Sequence, residues 1–460
     1  MSSVSTSHLR TWAPLLDGTL AWQAATVVDE IADALRVPPP AWAPPGSSDA
    51  TRAVLDATLA GGKAGHAVLF ATLAGAHSRS EDTRLAAELI GQAARAVAEV
   101  PMSASLFSGF TGVAWAVDYV SRSIPGPDTP RSPGGGSHRP DSGSEIDRAI
   151  ATYLDRSPWA DSHDLVTGLV GLGVYALDRL PRPEARVCAE RVVLRLDELA
   201  EYTPKGITWL TPPELLVARE REHFPDGYYN FGLAHGVPGV IALLARSVAA
   251  GVETRRALPL LEGAVAWVLA HRGPEPGRRF PFAIAPGVPW RPARTAWCYG
   301  DPGVVAALTL AARLTRETSW TRITATHAVE VAGLEPESCG VEDAGLCHGA
   351  MGLAHLYHRI HRYTGIELIA HAARRWFEIG LAMRRPGTGV AGFPAFIPDA
   401  AGVPHPAPGA SGAVEGSAED SCWAADPGLL GGAAGVALAL LAATDDHEPG
   451  WDVPLLLSAP

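Results

Sequence analysis

The chain has 460 residues, of which 47% are hydrophobic and only 19% charged; 37 Lys plus Arg against 49 Asp plus Glu leave a net charge of −12. Wholesale disorder is excluded by that apolar content, and the acidic balance argues against a protein built mainly to hold nucleic acid. The 48 Gly follow no three-residue collagen period, and five Cys are too sparse for a secreted disulfide framework, so a reducing, cytoplasmic setting is expected.

The N-terminal residues MSSVSTSHLRTWAPLL carry no apolar run of the signal-peptide kind. Further along, one pattern recurs seven times: Gly-x-x-Gly followed by small and branched apolar residues. The pairs are Gly62 and Gly65, Gly109 and Gly112, Gly168 and Gly171, Gly236 and Gly239, Gly300 and Gly303, Gly349 and Gly352, and Gly432 and Gly435. Successive pairs lie 47 to 83 residues apart. Each predicts a tight turn feeding a helix that is buried on most sides, because the run that follows is almost free of charge. Between the copies, Arg84–Val100 and Ala185–Glu201 show apolar positions at three- and four-residue steps and predict amphipathic helices.

Three segments depart from this plan. Pro125–Glu145, rich in Pro, Gly and Ser, predicts a disordered loop. Tyr202–Asn230 has β-type residues and turn signals and predicts a small non-helical excursion. Gly387–Cys422 is a further Pro- and Gly-rich connection. Gly428–Thr444 is uncharged, but it falls short of the roughly 20 apolar residues of a membrane helix, so no membrane span is expected.

Seven buried helices alternating with seven amphipathic ones predict one all-α domain over 1–460, with the repeats spanning about 50–445. Two concentric rings would bring all seven Gly-x-x-Gly turns to one mouth. An open helical solenoid of the same units is the alternative, although solenoid repeats are usually more even in length.

Cys298 and Cys347 each stand two residues before the first Gly of their copy, and His348 follows Cys347. In a closed ring these neighbouring copies would place two thiolates and an imidazole side by side, a three-ligand set suited to zinc with a fourth position open to water or substrate. The plain alternative is two small buried cysteines. His235 precedes Gly236, Asp164 lies four residues before Gly168, Arg294 lies four before Cys298, and Tyr299 follows it. Grouped around a metal, they would suit proton transfer and stabilisation of a developing anion. His355, His358 and His361 read as a polar helix face, Cys188 as core packing, and Cys339 and Cys422 receive no role.

The segments GLAHGVPG (232–239), WCYGDPGV (297–304) and CHGAMGLAH (347–355), with the sevenfold glycine pattern, resemble the LanC family of lanthipeptide cyclases over about residues 50–445. The first copy is the weakest match, and Pro125–Glu145 looks like an addition. The resemblance is to the free-standing cyclases of class I pathways. It implies an α/α toroid of seven inner and seven outer helices with a small SH2-like excursion, part of which would fall on Tyr202–Asn230. It implies one Zn²⁺ held by Cys298, Cys347 and His348, with His235 as acid/base, Arg294 and Tyr299 beside it, and Asp164 ahead of the third repeat. The implied reaction joins Cys thiolates of a dehydrated precursor peptide, leader plus core, to dehydroalanine or dehydrobutyrine, giving thioether rings; a dehydratase is the implied partner. Addition of glutathione or another thiol to dehydrated proteins, and a non-catalytic peptide scaffold, are the competing readings.

Overall fold

The computed structural model describes residues 12–124, 143–397 and 423–458. Its helices are α1 (Gly18–Leu35), α2 (Asp49–Ala57), α3 (Lys63–His77), α4 (Ser80–Glu99), α5 (Phe110–Ser123), α6 (Ser144–Leu154), α7 (Leu169–Asp178), α8 (Pro183–Leu199), α9 (Ala218–His223), α10 (Val237–Ala249), α11 (Thr254–Ala270), α12 (Asp301–Thr315), α13 (Thr318–Ala332), α14 (Ala350–Thr364), α15 (Glu367–Ala382) and α16 (Ala433–Thr444). The strands are short: β1 (Glu201–Thr203), β2 (Gly206–Thr208), β3 (Leu210–Thr211), β4 (Tyr228–Asn230), β5 (Ala283–Ile284), β6 (Ala395–Phe396) and β7 (Trp423–Ala424).

Every predicted buried helix begins where its glycine pair stands, with the first Gly as N-cap of α3, α5, α7, α10, α12, α14 and α16. Burial follows from composition: Ala433 through Ala443 of α16 are all buried. These seven helices pack in cyclic order, each on the next, and α16 returns to α3. Around them lie α4, α8, α11, α13 and α15, with α1 covering α16 and α6 packed on α8. The outer helices are amphipathic, as in α4, which buries Ala86, Leu89, Ile90 and Ala93.

A chain of main-chain hydrogen bonds runs around the mouth through the residue two before each first Gly, or its neighbour. Ala60 N–H donates to Phe107 O (3.0 Å), Phe107 to Val166 (3.4 Å), Leu165 to Ala234 (3.1 Å), Ala234 to Cys298 (3.3 Å), Cys298 to Cys347 (3.2 Å) and Cys347 to Leu430 (2.8 Å). Leu430 then donates back to Ala60 O at 3.0 Å. The glycines permit this close approach. A Cβ on Gly112 would lie 1.8 Å from Leu106 O and 2.9 Å from the Leu59 Cβ of the preceding repeat. Gly300 adds a backbone requirement, since its φ of +85° is one that other residues rarely adopt. Gly112→Ala should therefore destabilise the fold by about 1–3 kcal/mol, the usual cost of overpacking. Urea denaturation would read this, and an unchanged midpoint would contradict the close approach.

The structure corrects several expectations. Ser144 and Glu145 open α6, so the predicted 125–145 loop ends earlier, and its residues 125–142 lie outside the described residues. Cys422 and residues 398–421 of the second Pro/Gly-rich connection also lie outside them. Glu201 belongs to strand β1 rather than to the preceding helix, and the excursion contains the short helix α9. β3 pairs with β4, and β4 with β5 from beyond the repeat-four helices, through Tyr229↔Ile284 and Asn230↔Ala283. No helix among the described residues is long and apolar enough to cross a membrane.

His355, His358 and His361 do not form a solvated face. All three are buried. His355 Nε2 bonds Asp452 Oδ2 at 2.8 Å, and His358 Nε2 donates to Ala13 O at 3.2 Å. Arg359 holds the same Asp452 through Nε and Nη2 at 2.6 and 2.9 Å. These side chains fasten the two terminal segments under the far end of the helices, so their neighbours come from sequence positions 97 and 345 residues away.

Other buried histidines carry no counter-charge sufficient to offset desolvation. Burial lowers His66, His163 and His327 to about 4. Their unfolded pKa is about 6.5, so the unfolded chain binds more protons as pH falls from 6.5 toward 4. Stability is therefore fully present above that window and declines through it, by about 2 kcal/mol for each such site between pH 7 and 5. Urea midpoints at the two pH values measure this, and equal midpoints would refute it.

Candidate active site

The mouth collects residues that share a position within their repeats. The residue just before the first Gly is Gly61, Ser108, Thr167, His235, Tyr299, His348 and Gly431 in turn, and the residue before that includes Cys298 and Cys347. The hydrogen bond from Cys298 N–H to Cys347 O ties the two cysteines of adjacent repeats directly together. The two Sγ atoms and a ring nitrogen of His348 all lie within 4.8 Å of one another. Cys298 is buried and Cys347 half-buried.

The donor chemistry fits zinc. His348 Nε2 faces the Phe396 carbonyl at 3.3 Å, which can only accept, so Nε2 carries the proton. The neutral ring then has its lone pair on Nδ1, a buried atom with no hydrogen-bond partner among the described residues. Two sulfurs and this nitrogen are the soft and borderline donors that zinc takes. The Cys347 thiol hydrogen-bonds Cys298 and lowers its pKa well below the usual thiol value, against burial, with help from Arg294 and His348. Arg294 Nη2 donates to Cys298 Sγ at 3.1 Å. Burial acts against the guanidinium, but the two cysteine sulfurs outweigh it and raise its pKa.

Beside this cluster stands a charge pair between repeats three and four. His235 Nδ1 lies 2.6 Å from Asp164 Oδ2, with the His235 side chain 38% exposed and Asp164 9% exposed beneath it. Asp164 Oδ1 is committed to Thr167, accepting from its N–H at 2.7 Å and its hydroxyl at 3.0 Å. Burial opposes charge on His235, yet the hydrogen bond and charge of Asp164 prevail and raise its pKa. The same bond lowers Asp164 against its own burial. His235 is thus oriented with Nε2 as its remaining nitrogen, in the manner of an acid/base held by a carboxylate.

Tyr299 stacks on His235 with ring centroids 5.9 Å apart and on Phe282 at 4.6 Å. Its hydroxyl oxygen accepts from Asn230 Nδ2 at 3.1 Å, while Asn230 Oδ1 accepts the Gly232 N–H at 2.7 Å and so fixes the amide orientation. Burial raises the phenol well above its ordinary pKa, so it remains a donor.

The sequence model of the family described as "Lanthionine synthetase C-like protein" matches residues 53–378. The chain belongs to this family. The matched segment carries six of the seven glycine pairs of this LanC-like protein and all seven of the site residues expected from sequence. Its fold is similar to the solved structure titled "Nisin cyclase", with a TM-score of 0.65 at 16% sequence identity, covering 94% of this chain and 97% of that one. No curated protein matches the LanC-like chain in sequence.

All seven predicted site residues of the LanC-like protein lie at the mouth, in the Cys298–Cys347–His348–Arg294 cluster or in the Asp164–His235–Tyr299 group next to it. Sequence reasoning missed Thr167, Asn230, the Phe396 carbonyl and Asp343, whose Oδ2 lies 3.9 Å from His348 Nε2. A signal for two of them was present. The position six before each first Gly is polar in every copy: Asp56, Ser103, Ser162, Asn230, Arg294, Asp343 and Asp426.

Proposed function

We propose that the protein is a zinc-dependent lanthipeptide cyclase on an α/α toroid of seven inner and seven outer helices. The observation that carries this reading is the meeting of two cysteine sulfurs and His348 within 4.8 Å at the mouth where the Asp164–His235 pair also opens. Cys298, Cys347 and His348 would hold the ion, leaving a position for a substrate sulfur. When bound, zinc supplies positive charge that keeps a cysteine thiol of the peptide in its thiolate form near neutral pH.

The remaining chemistry belongs to the chain's own side chains. The sulfur adds to the β-carbon of a dehydroalanine or dehydrobutyrine, and the π electrons of the C=C bond move onto the carbonyl oxygen as an enolate. Arg294, whose guanidinium lies at the sulfurs, and the Tyr299 hydroxyl supply donors for that developing negative charge. His235 then delivers a proton to the α-carbon, with Asp164 holding the ring and stabilising its charged form. The thiol's lost proton balances the one gained at carbon, so no co-reactant is needed. The partners in this reading are a dehydrated precursor peptide and a dehydratase that prepares it.

The test is incubation of the purified protein with zinc and a dehydrated precursor peptide. The expected product has unchanged mass and no longer reacts with a thiol-alkylating reagent. An intermolecular adduct with added glutathione instead of a ring would transfer the chain to general thiol addition. Peptide binding without any loss of free thiol would make it a scaffold.

A further inference from the structure

Asp343 stands six residues before Gly349, and its side chain is buried. Four of the seven residues at this position share one local task, accepting the N–H two residues on. Ser162 Oγ takes Asp164 N–H at 3.2 Å, Asn230 Oδ1 takes Gly232 N–H at 2.7 Å, Asp426 Oδ1 takes Gly428 N–H at 2.7 Å, and Asp343 Oδ1 takes Gly345 N–H at 3.0 Å. A serine therefore suffices for the turn itself. Asp343 does more. Its Oδ2 accepts the Phe396 N–H at 2.8 Å, fifty-three residues away on β6, and lies 3.9 Å from His348 Nε2. Phe396 is the residue whose carbonyl takes the His348 Nε2–H. Among the described residues β6 pairs with β7 through Ala395↔Ala424 and Phe396↔Trp423. The carboxylate anchors this ladder from the repeat that carries the ligand.

We propose that Asp343 is a positioning residue for the metal centre: by gripping the Phe396 N–H it keeps the Phe396 carbonyl on His348 Nε2, which turns Nδ1 toward the Cys298 and Cys347 sulfurs. The inference rests on the zinc reading above. Metal-binding histidines generally owe their tautomer and ring orientation to such an outer partner, and its loss typically weakens metal binding by about 10–100-fold.

Two substitutions separate this role from the turn. In Asp343→Asn the retained oxygen can still accept Gly345 N–H, but the amide places N–H groups opposite the Phe396 N–H. In Asp343→Ser the turn keeps the solution that Ser162 uses in repeat three, and the reach to Phe396 is lost. Zinc affinity of the full chain is measured by competition with a chromophoric chelator, and the ligand field by the visible spectrum of the Co²⁺-loaded protein. The expected result is about a 10–100-fold loss of zinc affinity and a changed cobalt spectrum in both variants, with helicity as in the wild type. Zinc affinity within about twofold of wild type in a folded variant would overturn the proposal. A wild-type chain that binds no zinc in the same titration would overturn the metal reading itself, a separate outcome.

Discussion

Cys347→Ala is expected to abolish stoichiometric zinc binding and to lower ring formation by at least about a hundredfold, more than loss of an outer partner, which costs roughly 10–100-fold in affinity or activity. The residue supplies one of two sulfurs in a three-residue set, and its main chain also links repeats five and six and repeats six and seven. Alanine leaves those main-chain bonds available, so helicity should persist while the metal is lost. Metal analysis and circular dichroism on one preparation measure both. The same holds for Cys298→Ala. A variant that retains a full equivalent of zinc would remove that cysteine from the ligand set, and a variant that cyclises its peptide normally without zinc would end the zinc-dependent reading.

His235→Ala is expected to divide the site differently: zinc stays, and turnover falls by about 10²–10⁴-fold, the usual contribution of a general acid or base. The reason is geometric, since His235 bonds Asp164 and is not one of the three clustered donors. Loss of zinc in parallel with activity would show that the acid/base role is misassigned. The pH profile adds an independent reading. Asp164 raises the pKa of His235 above its ordinary value. If the proton donor is His235 in its charged form, activity falls as pH rises through that raised pKa. Asp164→Asn removes the charge that raises it, so the alkaline limb should move to lower pH. A limb that does not move would separate Asp164 from the proton donor.

Much of the fold was legible because its repeating unit is local. A glycine pair, a charge-free helix and an amphipathic helix are all set within one copy, and α3, α5, α7, α10, α12, α14 and α16 start where the glycines predict. The ligand candidates were legible for the same reason, since Cys298 and Cys347 hold one position in successive copies. The pairing of Asp164 with His235 across 71 residues was not legible, because nothing local to either copy specifies which neighbour its mouth residue meets. Nor was the burial of His355 and His358. Their three-residue spacing is compatible with a wet face, and the terminal segments, folded back through Ala13 and Asp452, cover it.

The opening numbers divide along the same line. Low charge and abundant glycine determined, by themselves, that many helices would be buried and entered through tight turns, because both properties act over a few residues at a time. Tertiary structure alone decided that the mouth hydrogen bonds return from Leu430 to Ala60 and that Asp164 meets His235. These contacts exist only once distant copies are adjacent, and adjacency is a property of the packed helices, which no single repeat encodes.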